Sequence, residues 1–445
     1  MEAELTRPSY RALWRFFLPL VVISFSQTFT YPLVASVISH GPLEGLEFEA
    51  YVIGQQVVTF LSSIGHGLVT TGIVFATTQR GRAAFMRLNL YMALAAALCQ
   101  LLASLPLAED LIFGRFLAVE NPALRAIARH SLLACIPVQM NFYVRNAYTA
   151  QLFRNKRSDL ANVATLFRVA IAVPLSWLFV RAGLVGYLWG AVAMTLPCLA
   201  ETALTWWYAR PYVAALPDTA PDAGETDGTS VIRQLRFTLP LSLGSVLMTA
   251  TAFITTYFYS YSSDPERFRL VHYVTYGLAA FFFASALRFQ TVAVVFAKTA
   301  EAARRVAVFV VAAGAALGAI LLTVSNVTPF AHWYLCVFQK IPPESLGLAS
   351  AAVTAGAFVT ILYGLRGFVE GLAAIRLAPR AVLAGQLAYV LFFAGSFALC
   401  TRLLVGRDHL WGMAAIAVAT AVSALVTYAV SRWMRRSRYG RVASK

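Results

Sequence analysis

Four arginines, Arg145, Arg168, Arg288 and Arg366, and two glutamates, Glu201 and Glu370, stand inside long apolar stretches of this chain. An unpaired arginine at the centre of a bilayer costs at least ~3 kcal/mol, so side chains in such places bind or pair. Counted from the polar residue that ends each stretch, Arg145 is nine residues from Arg154 and Arg366 is ten from Arg376. Arg168 is nine from Asp159, and Arg288 ten from Lys298. At a rise of about 1.5 Å per residue, all four fall roughly 13–15 Å from one end, near a bilayer midplane. Glu201 is nine residues from Arg210 and shares that level; Glu370 follows Arg366 by one helical turn, so an intrahelical pair is expected. Four arginines against two acids leave about two positive charges. Guanidinium groups grip carboxylate and phosphate oxygens bidentately, so the chemistry is anion binding. The glutamates either neutralise arginines and hold the helices together or couple to the binding of the anion.

The other candidates are weaker. Asn141 precedes Arg145 by four residues and shares its helix face. His66, flanked by Gly65 and Gly67, is placed to carry a proton or, equally, to pack beside glycines that loosen a helix. Arg129 is near the outer end of its stretch, where it is expected to snorkel; His130 and His272 receive no role. Cys99, Cys135, Cys198, Cys336 and Cys400 form no CxxC pair, so neither a disulfide framework nor a zinc site is indicated. No phosphate-binding glycine loop, nucleophile elbow or HExxH helix is present. The expectation is therefore no enzyme, no catalytic residue, no metal and no cofactor.

The elements that must position these residues follow from composition. The 445 residues are 59% hydrophobic and only 13% charged, with a formal net charge of +16 and a mean hydropathy of +0.68. Soluble globular domains are roughly 45–50% apolar and about 25% charged, so a soluble enzyme is excluded. Twelve apolar stretches reach the length of a membrane helix: 13–36, 51–76, 84–106, 124–150, 160–181, 184–209, 235–261, 269–297, 305–328, 347–374, 380–402 and 409–432. Pro19, Pro32, Pro137, Pro174, Pro197 and Pro240 fall inside them and are read as kinks, which membrane helices tolerate. The stretches 108–122 and 329–345 read as outer loops with interfacial turns.

The excess of base, which in a soluble protein points to nucleic acid, here marks topology. With a cytoplasmic N-terminus, twenty-three Lys and Arg residues fall on inner segments and eight on outer ones. That satisfies the positive-inside rule and places both termini in the cytoplasm. The start shows no signal-peptide pattern. Arginine far outnumbers lysine, a mark of a GC-rich bacterial genome, so an inner (plasma) membrane is expected. Partners are a small anionic substrate and membrane lipids, with no nucleic acid, and the chain is expected to be a monomer.

The polar segment 211–232 divides the chain into an N-terminal bundle, 1–210, and a C-terminal bundle, 233–434, followed by a basic tail, 435–445. The halves repeat. Arg15-Phe16-Phe17-Leu18-Pro19-Leu20 matches Arg236-Phe237-Thr238-Leu239-Pro240-Leu241 at an offset of 221. The same offset pairs Val74-Phe75-Ala76 with Val295-Phe296-Ala297, Pro122 with Pro343 and Arg145 with Arg366, and Leu188-Trp189-Gly190 meets Leu410-Trp411-Gly412 at 222. Six helices per repeat give parallel repeats about an axis along the membrane normal, expected to enclose a central cavity.

The R-F-x-L-P-L start of each half, Leu365-Arg366-Gly367-Phe368-Val369-Glu370-Gly371 and the long middle connection resemble the multidrug/oligosaccharidyl-lipid/polysaccharide (MOP) exporter superfamily. The resemblance implies an all-α, MATE-like membrane fold of twelve helices in two six-helix bundles, working by alternating access. Leu13 to Leu20, Gly72-Ile73-Val74-Phe75 with the Arg80–Arg82 loop, and Arg366 are most similar to the progressive-ankylosis (ANKH) branch. That branch implies export of pyrophosphate, nucleotide or citrate-like anions. The drug-exporting branch typically carries a helix-one carboxylate, which this chain lacks. A flippase for a polyprenyl-pyrophosphate glycan or lipid II-like precursor is the alternative, and a membrane-embedded transferase a more distant one.

Overall fold

The computed structural model describes residues 8–43, 45–117, 119–218, 228–326, 328–339 and 341–443. Arg7, Glu44, Lys340, Lys445 and linker residues 219–227 lie outside these, as do the side chains of Arg436, Arg438 and Arg441. Among the described residues all regular structure is helical. The first half contains α1 (Tyr10–Ser39), α2 (Gly45–Ser63), α3 (Gly67–Phe75), α4 (Gln79–Ala103), α5 (Pro106–Glu109), α6 (Pro122–Ala134), α7 (Ile136–Arg154), α8 (Ser158–Arg181) and α9 (Tyr187–Ala214). The second contains α10 (Val231–Tyr259), α11 (Pro265–Leu287), α12 (Phe289–Phe296), α13 (Ala300–Asn326), α14 (Thr328–His332), α15 (Leu346–Ile375), α16 (Pro379–Leu403) and α17 (Trp411–Ala443).

Ten helices among the described residues are long and apolar enough to cross a membrane. The other two expected stretches are also helical: 13–36 lies in α1, and 124–150 is covered by α6 and α7. Large apolar side chains such as Trp177, Trp207, Phe358 and Leu391 are exposed along the helices, where lipid takes the place of water. The chain is a multi-pass membrane protein.

Two local expectations change. Pro137 does not kink a helix from within; α6 ends at Ala134, and Pro137 opens α7 after a turn at Cys135, where its missing N–H costs nothing. The stretches 108–122 and 329–345 contain short helices that pass into π-helical turns, Asp110–Phe116 and Trp333–Phe338. Their wider ring is closed by Leu117 N–H to Ile112 O (3.0 Å) and Gln339 N–H to Tyr334 O (2.9 Å), so the backbone satisfies itself without a loop.

The chain forms two compact units, Val22–Ser242 and Met1–Val21 with Leu243–Lys445, so the divisions fall inside α1 and α10. In the Val22–Ser242 unit, α7 packs against α3, α4 and α9. A core of Val34, Ile38, Tyr51, Phe113, Leu132, Val138, Met194 and Cys198 is fully buried. Its α8–α9 turn is fixed by an acid: Glu47 Oε2 accepts the Tyr187 N–H at 2.9 Å. Gly186 there has φ +98°, and a Cβ on it would stand 2.6 Å from that oxygen, so only glycine fits. In the other unit, α15 packs against α11, α12, α13 and α17. Phe17 stacks on Phe289 at 4.2 Å, and Trp14 meets Phe309 edge-on at 5.0 Å.

Geometry recurs at the offset of the sequence repeat. Thr78 Oγ1 accepts the Gly81 N–H (3.0 Å) as Thr299 Oγ1 accepts the Ala302 N–H (3.1 Å), capping α4 and α13 alike. Lys156 (φ +58°) and Leu377 (φ +54°) are the non-glycine positive-φ residues among the described ones. Arg157 N–H reaches Leu152 O at 2.8 Å and Ala378 N–H reaches Ala373 O at 2.9 Å, so the same turn follows α7 and α15. Phe16 meets Phe296 at 5.3 Å within one unit, and Phe237 meets Phe75 at 5.1 Å within the other.

Candidate functional site

Among the described residues, each unit holds a cluster of guanidinium and carboxylate that is almost wholly buried in helix interiors. In the Val22–Ser242 unit the centre is Glu201 on α9. Its Oε2 accepts from Arg145 Nη1 on α7 (2.6 Å) and from Arg168 Nη1 on α8 (3.1 Å), while Oε1 accepts from Thr165 Oγ1 (2.7 Å). Arg168 and Glu201 are almost wholly inaccessible, each 3% exposed, whereas Arg145 keeps 13%. Two guanidinium groups against one carboxylate leave a net positive charge, and Arg168 Nε and Nη2 have no hydrogen-bond partner among the described residues. Donors left so in a buried place carry a desolvation penalty of about 1–3 kcal/mol, which an anion or water removes. Arg145 also lies over the Phe142 ring at 5.0 Å, a cation–π contact that holds its plane. Asn141, one turn before Arg145, is buried, and its Nδ2 is another donor without a partner among the described residues.

In the other unit the cluster is built on α15. Arg366 Nε donates to Glu370 Oε1 at 2.9 Å, the expected one-turn pair. Arg366 Nη2 lies 3.7 Å from Met248 Sδ, its guanidinium is 4.9 Å over the Tyr389 ring, and Nη1 has no partner among the described residues. The opposite side of the same helical stretch is glycine. A Cβ at Gly371 would stand 2.6 Å from both Ala293 Cβ and Gln290 O, so α15 and α12 approach to backbone contact. The Arg366-to-Gly371 run therefore carries charge on one side and close helix packing on the other.

Arg145 and Arg366 hold matching positions in the two halves, but their partners are not equivalent. The repeat position that matches Glu201 is the buried Ser423, and the acid of the second cluster is on α15 itself. The position that matches Arg168 is Tyr389. One unit thus holds a carboxylate between two arginines, and the other an arginine between a carboxylate and an aromatic ring.

The remaining candidates mark helix breaks. Arg288 sits between α11 and α12, half-buried, its N–H donating to Ser285 O at 3.1 Å. His66 sits between α2 and α3, exposed, its N–H donating to Ser63 O at 3.2 Å. Among the described residues, the ion pairs of Glu201 and Glu370 are made with Arg145, Arg168 and Arg366. Arg129 does not simply snorkel: its Nε pairs with Glu109 Oε2 at 2.9 Å, and Nη1 donates to Ser104 O at 3.2 Å. Both groups are largely buried, so pairing replaces reaching for water. Sequence reasoning missed Thr165, Met248 and Tyr389. Thr165 was discoverable, because it precedes Arg168 by one turn; nothing local marks the other two.

No family model and no curated protein sequence matches the chain. Solved structures do match by fold. An outward-facing multidrug resistance MATE family transporter of the MOP superfamily has a TM-score of 0.77 at 15% identity, covering 98% of each chain. The Vibrio cholerae MATE transporter VcmN has a TM-score of 0.75 at 13% identity, covering 96% of this chain and 97% of that one. A MOP superfamily transporter from Pyrococcus furiosus, whose reversed binding-pocket polarity is described as suggesting a different function, has a TM-score of 0.72 at 16% identity, covering 98% and 97%. The chain has the fold of these MATE and MOP superfamily transporters.

Proposed function

We propose that the protein is an alternating-access secondary transporter that exports an organic or phosphorylated anion of the pyrophosphate, nucleotide or citrate class. One observation carries this reading: two guanidinium groups converge on the single carboxylate of Glu201, with Arg168 donors left over, inside the helices of a transporter fold. An anion arriving at Arg145 and Arg168 would complete their hydrogen bonding and could displace Glu201 from one of them. In the other unit Arg366, with Nη1 unoccupied by protein among the described residues and Glu370 holding it in place, is proposed as an anion-binding group of its own. Arg288, Asn141 and His66 belong to the same proposal as polar groups along the path.

The reading extends to organisation. Recurrence of caps, positive-φ turns and ring contacts at the repeat offset supports twelve helices in two parallel repeats. The distribution of basic residues supports cytoplasmic termini in a bacterial inner membrane. Kinship with the ANKH branch rests on the helix-one and Arg366 residues. Reversed binding-pocket polarity is described as suggesting a different function for the Pyrococcus furiosus protein of this fold; in this chain a guanidinium-rich cluster argues for an anionic substrate.

The test is uptake into proteoliposomes of labelled citrate, pyrophosphate and nucleotide, beside a cationic dye and a polyprenyl-pyrophosphate glycan. Saturable movement of one of the soluble anions is expected. Movement of the dye alone, or of the lipid-linked glycan alone, overturns the proposal, and the latter establishes the flippase.

A further inference from the structure

A cavity of about 550 Å³ lies wholly within the Met1–Val21 and Leu243–Lys445 unit, away from Arg366 along the helices. It is formed where α12 ends, α13 begins, α15 ends and α17 passes its last turns. Lys298, Arg376 and Arg435 line it with Thr299 and Ser431, and no acidic side chain among the described residues does. Leu372, Ile375 and Met434 give it an apolar wall. Arg376 is tied down by one hydrogen bond, Nη1 to Ser431 Oγ at 3.3 Å. Burial, followed by the nearby charge of Arg435, pulls the Arg376 pKa below the usual arginine range.

The other unit shows what fills this position when no ligand is needed. At the repeat offset, Ala300 at the start of α13 corresponds to Gln79 at the start of α4. Gln79 N–H donates to Pro217 O at 2.9 Å, and its Nε2 donates to Val213 O at 2.8 Å. There the chain leaving α9 folds back over the helix start and supplies carbonyl oxygens. The residues matching Lys298 and Arg376 are Thr77 and Asn155, both neutral. In the C-terminal unit, α17 continues as helix to Ala443 instead of folding back. A cavity lies here among the described residues, and Lys298 and Arg376 stand at it where the other unit has neutral residues.

We propose that this cavity binds a phosphate-bearing anion, its phosphate held by Lys298, Arg376 and Arg435 and its apolar remainder against Leu372, Ile375 and Met434. The α13 N-terminus adds its dipole and backbone donors to the same place. A phosphodiester headgroup of an anionic phospholipid and a free phosphate both have this chemistry, and a basic pocket at the end of membrane helices is accessible to either.

The experiment uses the full chain in detergent, with binding read by native mass spectrometry and thermal shift. One arm titrates phosphatidylglycerol against zwitterionic phosphatidylcholine; the other titrates inorganic phosphate and pyrophosphate. Wild type is expected to bind phosphatidylglycerol, phosphate or both, and Arg376→Gln and Lys298→Gln to weaken that binding at least about tenfold, the loss of one charge-assisted hydrogen bond. Binding of the lipid alone assigns the cavity to the membrane, and binding of phosphate as well assigns it to a soluble ligand. Lys298→Gln keeps the test valid if Arg376→Gln fails to fold. Absence of both ligands from wild type, or equal binding by wild type and Lys298→Gln, overturns the proposal.

Discussion

At the scale of residues, the site turns on a carboxylate with two cations to serve. Glu201→Gln removes the acid that Arg145 and Arg168 share and leaves two buried like charges. Removing one partner of a buried pair typically costs about 3–5 kcal/mol, so this variant should lose much of its thermal stability in detergent, and added substrate anion should restore part of it. Arg168→Gln should be milder on folding, because Arg145 still satisfies Glu201. The sequence made part of this legible. Counting turns placed Arg145, Arg168 and Glu201 at one depth, and Arg366 with Glu370 on one face. It did not reveal that Arg168 and Arg145 share one oxygen, because that depends on which faces α7, α8 and α9 present to one another. Nor did it reveal Tyr389 beneath Arg366, since an aromatic residue in an apolar helix has no distinguishing local pattern.

Among elements, the breaks and close approaches do the positioning. The glycines flanking His66 pointed to a loosened helix there, while nothing beside Arg288 marked the interruption between α11 and α12. Gly371 sets the distance between α15 and α12, so Gly371→Ala should force that contact apart and cost about 1–3 kcal/mol, read as a lowered melting temperature. The turns after α7 and α15 offer the opposite change. Lys156 and Leu377 are held at positive φ, a conformation costing an L side chain about 1–2 kcal/mol. Lys156→Gly and Leu377→Gly should each raise the melting temperature slightly despite glycine's greater freedom when unfolded. The π-helical turns near residues 110 and 333 were not legible, because their bonding differs from an α-helix by one residue in register and leaves no mark in composition.

For the whole molecule, composition and charge carried most of the information. A mean hydropathy of +0.68 marks a membrane protein from the sequence alone, and short matches at a fixed offset link its two halves. The positive-inside bias predicts that a C-terminal fluorescent-protein fusion glows and a C-terminal alkaline phosphatase fusion stays inactive; the reverse pattern refutes the orientation. What composition left hidden is that the compact units divide within α1 and α10, since contacts between distant segments, such as Phe16 with Phe296, are not encoded by local hydropathy. The central claim is that buried guanidinium groups select an anion for transport. Its most direct test is initial uptake of the cognate anion by wild type, Arg168→Gln, Arg366→Gln and a distant control, Arg181→Gln, in proteoliposomes at matched protein content. Loss of a charge-assisted hydrogen bond predicts a fall of roughly 10- to 100-fold for the first two variants and little change for the control. Uptake by Arg168→Gln and Arg366→Gln equal to that of wild type would contradict the account.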